Sequence, residues 1–123
     1  MEKNIKFADI VVDCADEKKL CDFYEGLLGW ERREMFGHPM LASENGTVFL
    51  FVQEEDYVSP VWPEQDGRQQ KQMHFDFLVP DVAEAVRQAL ELGAVIAKDQ
   101  FGGEHFTTML DPAGHPFCLC KAE

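Results

Sequence analysis

His74 and Asp76 lie two residues apart in the stretch His74-Phe75-Asp76-Phe77-Leu78-Val79. On an extended chain that spacing puts both side chains on one face. A carboxylate beside an imidazole raises its pKa and orients it as an acid or base. The plain alternative is a solvated strand face. Cys118 and Cys120 form a second pair at the same spacing, and two thiols on one side of a strand suit redox exchange or a soft metal. No basic cluster lies nearby to lower a thiol pKa, so both read as packing residues, as do Cys14 and Cys21. Tyr57 and Trp62 sit in a long polar connection. Amphipathic aromatics there either close over a flat ligand or pin the loop to the body of the protein. His105 and His115 read as turn and surface residues.

The elements that position these groups are written twice. A strand is expected over Ile5 to Asp13, with Ile10 and Val12 on one face and Asp9, Val11 and Asp13 on the other. Asp16 is an N-cap, Leu20, Phe23, Tyr24, Leu27 and Leu28 form one helical face, and Gly29 ends the helix. Strands follow near Trp30 to Phe36, Met40 to Ser43 and Thr47 to Gln53, the last entered through an Asn45-Gly46 turn. The second half repeats the plan. A strand over Met73 to Val79 leads to a helix capped by Asp81, with Val82, Ala85, Val86, Ala89 and Leu90 as its apolar stripe and Gly93 at its end. Strands near Ala94 to Lys98, Phe106 to Leu110 and His115 to Lys121 complete it. Asp9 and His74 each stand seven residues before their caps, and Leu50 and Cys118 each follow a turn glycine by four. The repeat therefore equates Asp9 with His74 and Leu50 with Cys118. If Ile10, Val12, Phe75, Phe77 and Val79 pack on the helices, then Asp9, Asp13, His74 and Asp76 face away and must meet water, each other or a ligand.

The chain has 123 residues, enough for a single domain with a proper core. The expected division is a first module over about 5–57, a connection over about 58–72 and a second module over about 73–121. With 23 acidic and 11 basic side chains the formal charge is -12. Such a surface repels nucleic acid and anionic membranes, so neither is an expected partner. Met1 to Lys6 carries no apolar stretch of the kind a signal peptide needs, and the longest apolar run, Val48 to Val52, is a strand's length. A cytoplasmic location is expected, with the four cysteines as free thiols. No CxxC pair occurs, so a zinc knuckle is not expected.

Three stretches together carry a family likeness: Phe23-Tyr24 with Leu27-Leu28-Gly29-Trp30, then His74 to Val79, then Asp111-Pro112-Ala113-Gly114-His115-Pro116-Phe117. In this order the chain resembles the glyoxalase-like branch of the vicinal oxygen chelate superfamily, which includes glyoxalase, bleomycin resistance proteins and extradiol dioxygenases. The resemblance implies an α+β fold of two βαβββ modules forming an open barrel-like sheet around a cleft, in a homodimer. It places the four metal-ligand positions of that family at Asp9, Leu50, His74 and Cys118. Leu50 has no lone pair and Cys118 stands where a carboxylate is usual, so no four-ligand metal site and no cofactor are expected. Asp9, His74 and Cys118 still offer an oxygen, a nitrogen and a sulfur to a divalent metal. The expected ligand is a small organic molecule held by Asp9, Val11, Leu50, Val52, His74, Asp76, Leu78 and Cys118, with Tyr57 and Trp62 at the rim. Two functions compete. One is a glyoxalase-related lyase in which His74, with Asp9, does the chemistry. The other is metal-free sequestration of the bleomycin-resistance kind.

Overall fold

The computed structural model describes residues 4–122. Its first half runs β1 (Ile10–Cys14), α1 (Glu17–Leu28), β2 (Glu31–Met35), β3 (His38–Ala42) and β4 (Val48–Gln53). The second half runs β5 (Phe75–Val79), α2 (Val82–Leu92), β6 (Val95–Ile96), β7 (Phe106–Leu110) and β8 (Pro116–Lys121). Each half is a βαβββ module, so the fold is α+β and duplicated. The sheets are separate and four-stranded, ordered β1-β4-β3-β2 and β5-β8-β7-β6. They do not close into a barrel. In each, the first strand runs parallel to the last, as the crossing helix requires.

Local chemistry explains the boundaries. The Asp16 carboxylate accepts the Lys19 amide at 3.0 Å and Asp81 accepts that of Glu84 at 3.1 Å, which starts both helices. Gly29 (φ 69°) and Gly93 (φ 113°) end them in the left-handed region. Between β2 and β3, Phe36 (φ 54°) and Gly37 (φ 81°) form a two-residue loop with both central residues at positive φ. Three strands are shorter than the sequence pattern suggests. β1 begins at Ile10 because Ile10 lies opposite Phe49, and β4 has only Val48 beyond it to pair with anything earlier. β5 begins at Phe75, opposite Phe117, for the same reason. β6 stops at Ile96 because the Gln100 side chain takes over the pairing. Its amide donates to the carbonyls of Ala97 and Thr108, and its oxygen accepts the Thr108 amide, each at 2.8 Å.

The helix-facing sides of both sheets meet in one core. Tyr24 is fully buried at its centre, its ring stacked on Phe51 and edge-on to Phe75 and Phe117. Phe49 stacks on Phe75 at 4.5 Å, joining β4 of one module to β5 of the other. Ile10, Val12, Phe75, Phe77 and Val79 all pack on this cluster. In α1 Leu20, Cys21, Phe23 and Tyr24 are buried; in α2 only Ala89 is, and Leu90 turns toward solvent. No described helix is long and apolar enough to cross a membrane.

Candidate functional site

On the face of the second sheet away from the core, His74, Asp76 and Cys118 come together. The parallel register sets Asp76 directly opposite Cys118, and His74 precedes Asp76 by one strand repeat. One donor atom from each lies within 4.8 Å of the other two. His74 Nε2 is 3.4 Å from Asp76 Oδ1. Cys118 is buried, with its sulfur 3.4 Å from Thr108 Oγ1. Burial pushes its thiol pKa up, the Thr108 hydroxyl pulls it down, and the Asp76 carboxylate pushes it up again. With no cation beside it, this thiol keeps its proton at neutral pH. An imidazole, a carboxylate and a thiolate are a donor set that zinc accepts, with three protein ligands leaving one position open. The residues therefore fit a metal of that class, at the cost of one proton released from Cys118.

The spacing in the sequence pairs His74 with Asp76, and the resemblance adds Asp9 at a ligand position. Asp9 lies just before β1 in the first module, outside the His74–Asp76–Cys118 cluster. The equivalent places in the first module are Val11 and Leu50, paired across β1 and β4. Leu50 is buried there and coordinates nothing. Neighbouring Val52 is half-buried opposite Asp13. Leu78 is 76% exposed on the second sheet.

A cavity of about 780 Å³ opens between the start of β1, the connection and the start of β5. Val11, Asp13, Tyr57, His74, Phe75 and His115 are among its walls. His74 thus belongs to both the cavity and the donor cluster. Asp9, Leu50, Val52, Asp76, Leu78, Cys118 and Trp62 are not cavity walls. The connection is tied down at three points. Tyr57 Oη donates to the Ala113 carbonyl at 2.6 Å, Ser59 Oγ donates to the same carbonyl at 2.9 Å, and Trp62 Nε1 donates to the Asp99 carbonyl at 3.1 Å. Both aromatics therefore pin the loop, and Tyr57 also lines the cavity. Its phenol pKa is pushed up to about 12 by burial, reinforced by Asp111, so it stays a neutral donor. The Trp62 ring sits 6.3 Å from that of His74 and 5.9 Å from that of Phe101.

One network escaped the sequence reading. Asp111 is buried and accepts the Tyr24 hydroxyl at 2.6 Å and the amides of Ala113 and His115 at 2.9 and 3.0 Å. His115, expected at the surface, is half-buried. Its Nε2 lies 2.6 Å from the Asp13 carbonyl, which can only accept, so Nε2 carries the proton. Tyr57 Oη is 3.3 Å from the same nitrogen. The signal was present in Asp111-Pro112-Ala113-Gly114, a turn sequence. Periodicity along the first helix gave no hint that Tyr24 would reach it.

Residues 9–120 match a family model described as a glyoxalase-like domain. No curated protein matches the chain at the sequence level. Among solved structures, a glyoxalase/bleomycin resistance protein/dioxygenase family enzyme from Burkholderia phytofirmans PsJN superposes with a TM-score of 0.71 at 15% identity, covering 94% of this chain and 98% of that one. A hypothetical protein from S. aureus gives 0.70 at 15% identity over 98% and 100%. A genomically encoded fosfomycin resistance protein from Listeria monocytogenes gives 0.68 at 15% identity over 100% and 96%. At such identities the likeness is one of fold.

Proposed function

The chain belongs to the glyoxalase-like domain family, and we propose that it binds a small organic molecule in the cavity beside His74. The observation that carries this reading is the double position of His74, which is a wall of the cavity and a member of the donor cluster. Tyr57, already committed to the Ala113 carbonyl, supplies an aromatic wall, and Val11 and Phe75 supply apolar surface. The lining mixes this apolar surface with His74, His115, glutamines and carboxylates, which would fix the orientation of a bound molecule. A fosfomycin resistance protein is among the structural neighbours, so the same fold occurs in a protein that deals with a small molecule.

The donor cluster favours a second reading, a lyase-type enzyme. His74, Asp76 and Cys118 would hold a zinc-class ion, which polarises a carbonyl or paired oxygens of a bound molecule. In that reading Thr108 holds the Cys118 sulfur in place and Tyr57 donates a hydrogen bond only if it leaves Ala113. Two further proposals concern the setting. The four free thiols suit a reducing cytoplasm. The unpaired outer edges of β1 and β5, with Phe7 and Leu78 exposed, suit a homodimer.

The test is a thermal-shift screen of small metabolites and antibiotics, run with zinc and with a chelator. A ligand at a hundred times its dissociation constant adds about 2.7 kcal/mol, a shift on the order of ten degrees for a domain this size. Stabilisation without metal supports sequestration, and stabilisation only with zinc supports the lyase reading. A screen in which no compound stabilises the protein in either condition overturns both.

A further inference from the structure

We infer that the cavity selects a cationic molecule with a flat apolar body, an arylalkyl ammonium or quaternary ammonium in chemical class. This rests on the binding reading above and adds the charge of the ligand to it. Tyr57 and Phe75 put two aromatic rings in the walls, and Val58 and Met73 widen the apolar surface. Four carboxylates also border the same space, from Asp13, Glu54, Glu55 and Asp56. Carboxylates alone would be an ordinary solvated rim; here they border a cavity with one aromatic and aliphatic side, whose one ammonium is committed elsewhere. Lys71 is paired with Glu64, and its Nζ lies 5.0 Å from the centre of the Trp62 ring. Among the described residues none of the four carboxylates forms an ion pair. His115 does not serve Asp13 either, since its Nε2 proton goes to the Asp13 backbone carbonyl.

The physical consequence is a potential that favours positive charge at the mouth and an aromatic lining that accepts it. A cation over an aromatic ring gains further attraction when partly desolvated. The net charge of -12 extends the field outward, drawing cations in and repelling anions. An anionic ligand would bring its charge beside four carboxylates with no free ammonium to meet it.

Three matched probes test this: 2-naphthylmethylammonium, 2-naphthylmethanol and 2-naphthoate, titrated by calorimetry and by the Val11 and Val58 methyl resonances. Exposed charge contacts are individually weak, and together they predict that the ammonium binds about tenfold tighter than the alcohol in low salt. The carboxylate should bind weakest, and 0.5 M salt should erode the ammonium's advantage. The triple substitution Glu54→Gln, Glu55→Gln, Asp56→Asn should bring the ammonium down to the alcohol's affinity, with the melting temperature confirming that the variant is folded. Equal binding of ammonium and alcohol, or a preference that survives the triple substitution, overturns the charge assignment and leaves the binding reading standing. If none of the three binds, both fail together.

Discussion

At the scale of single residues, β5 and the residue entering it carry two opposite roles on opposite faces. His74 faces the cavity and Phe77 packs on the core. His74→Ala should weaken whatever ligand the thermal-shift screen finds while leaving the unfolding midpoint close to native. Phe77→Ala should cost roughly 3 kcal/mol, the low end for a phenylalanine because this one is only half-buried. Denaturant titration beside a binding isotherm separates the two, and a reversed pattern would mean the faces are assigned backwards. Asp111 carries a pH dependence. Burial raises its carboxyl pKa in the folded protein, against the pull of His115 and the Tyr24 hydrogen bond. A raised folded value means the unfolded chain gives up this proton first, near pH 4. The stability the group contributes is therefore complete below that pH and is lost as the pH climbs through the folded value. Asp111→Asn cannot titrate, so its stability relative to the native protein should improve as the pH rises above about 4, until the folded-state value is passed. A relative stability that stays flat or declines would contradict this. The residue faces were legible because alternation along a strand is strict. So was the pairing of His74 with Asp76; the separation of Asp9 from that pair was not. A repeat makes Asp9 equivalent to His74, but adjacency depends on how the repeats dock, and that is set by the stacking of Phe49 on Phe75 and by Tyr24.

At the scale of elements, the caps Asp16 and Asp81 and the stops Gly29 and Gly93 were all readable, because each acts on the few residues beside it. Strand lengths were less so, since a strand extends only as far as its neighbour does. The loop between β2 and β3 shows local chemistry being overruled. Two-residue loops with positive φ at both positions favour Asn, Asp or Gly, yet Phe36 occupies the first, 85% exposed. A bulky residue held in the left-handed region costs on the order of 1 kcal/mol. Phe36→Asn should recover about that much, raising the melting temperature by several degrees. Scanning calorimetry showing a lower melting temperature would mean that the phenyl ring makes contacts worth more than the strain.

At the scale of the whole molecule, two separate sheets share one core and leave their other faces and first-strand edges open. The duplication was visible from counting, and the long connection from its composition. The resemblance suggested an open barrel-like arrangement of two modules around a cleft, and the structure has the two modules as separate four-stranded sheets not closed into a barrel, joined on their helix-facing sides by the stacking of Phe49 on Phe75. Open edges and exposed apolar groups on such a frame predict a homodimer at micromolar concentration. Light scattering should return twice the chain mass, and a persistent single-chain mass would count against it.

The mooring of the connection has a consequence for timing. Tyr57 and Ser59 hang on the Ala113 carbonyl, the Ala113 amide rests on Asp111, and Asp111 is held by the hydroxyl of the most deeply buried large side chain. The cavity wall is thus fastened to the centre of the core by a path of three successive hydrogen bonds, the outermost doubled by Ser59. A wall built this way has its ordering entropy settled when the chain folds, so little is left to lose when a guest arrives. Guests should then enter a vessel already set in shape, and that shape should loosen only when the core around Tyr24 does.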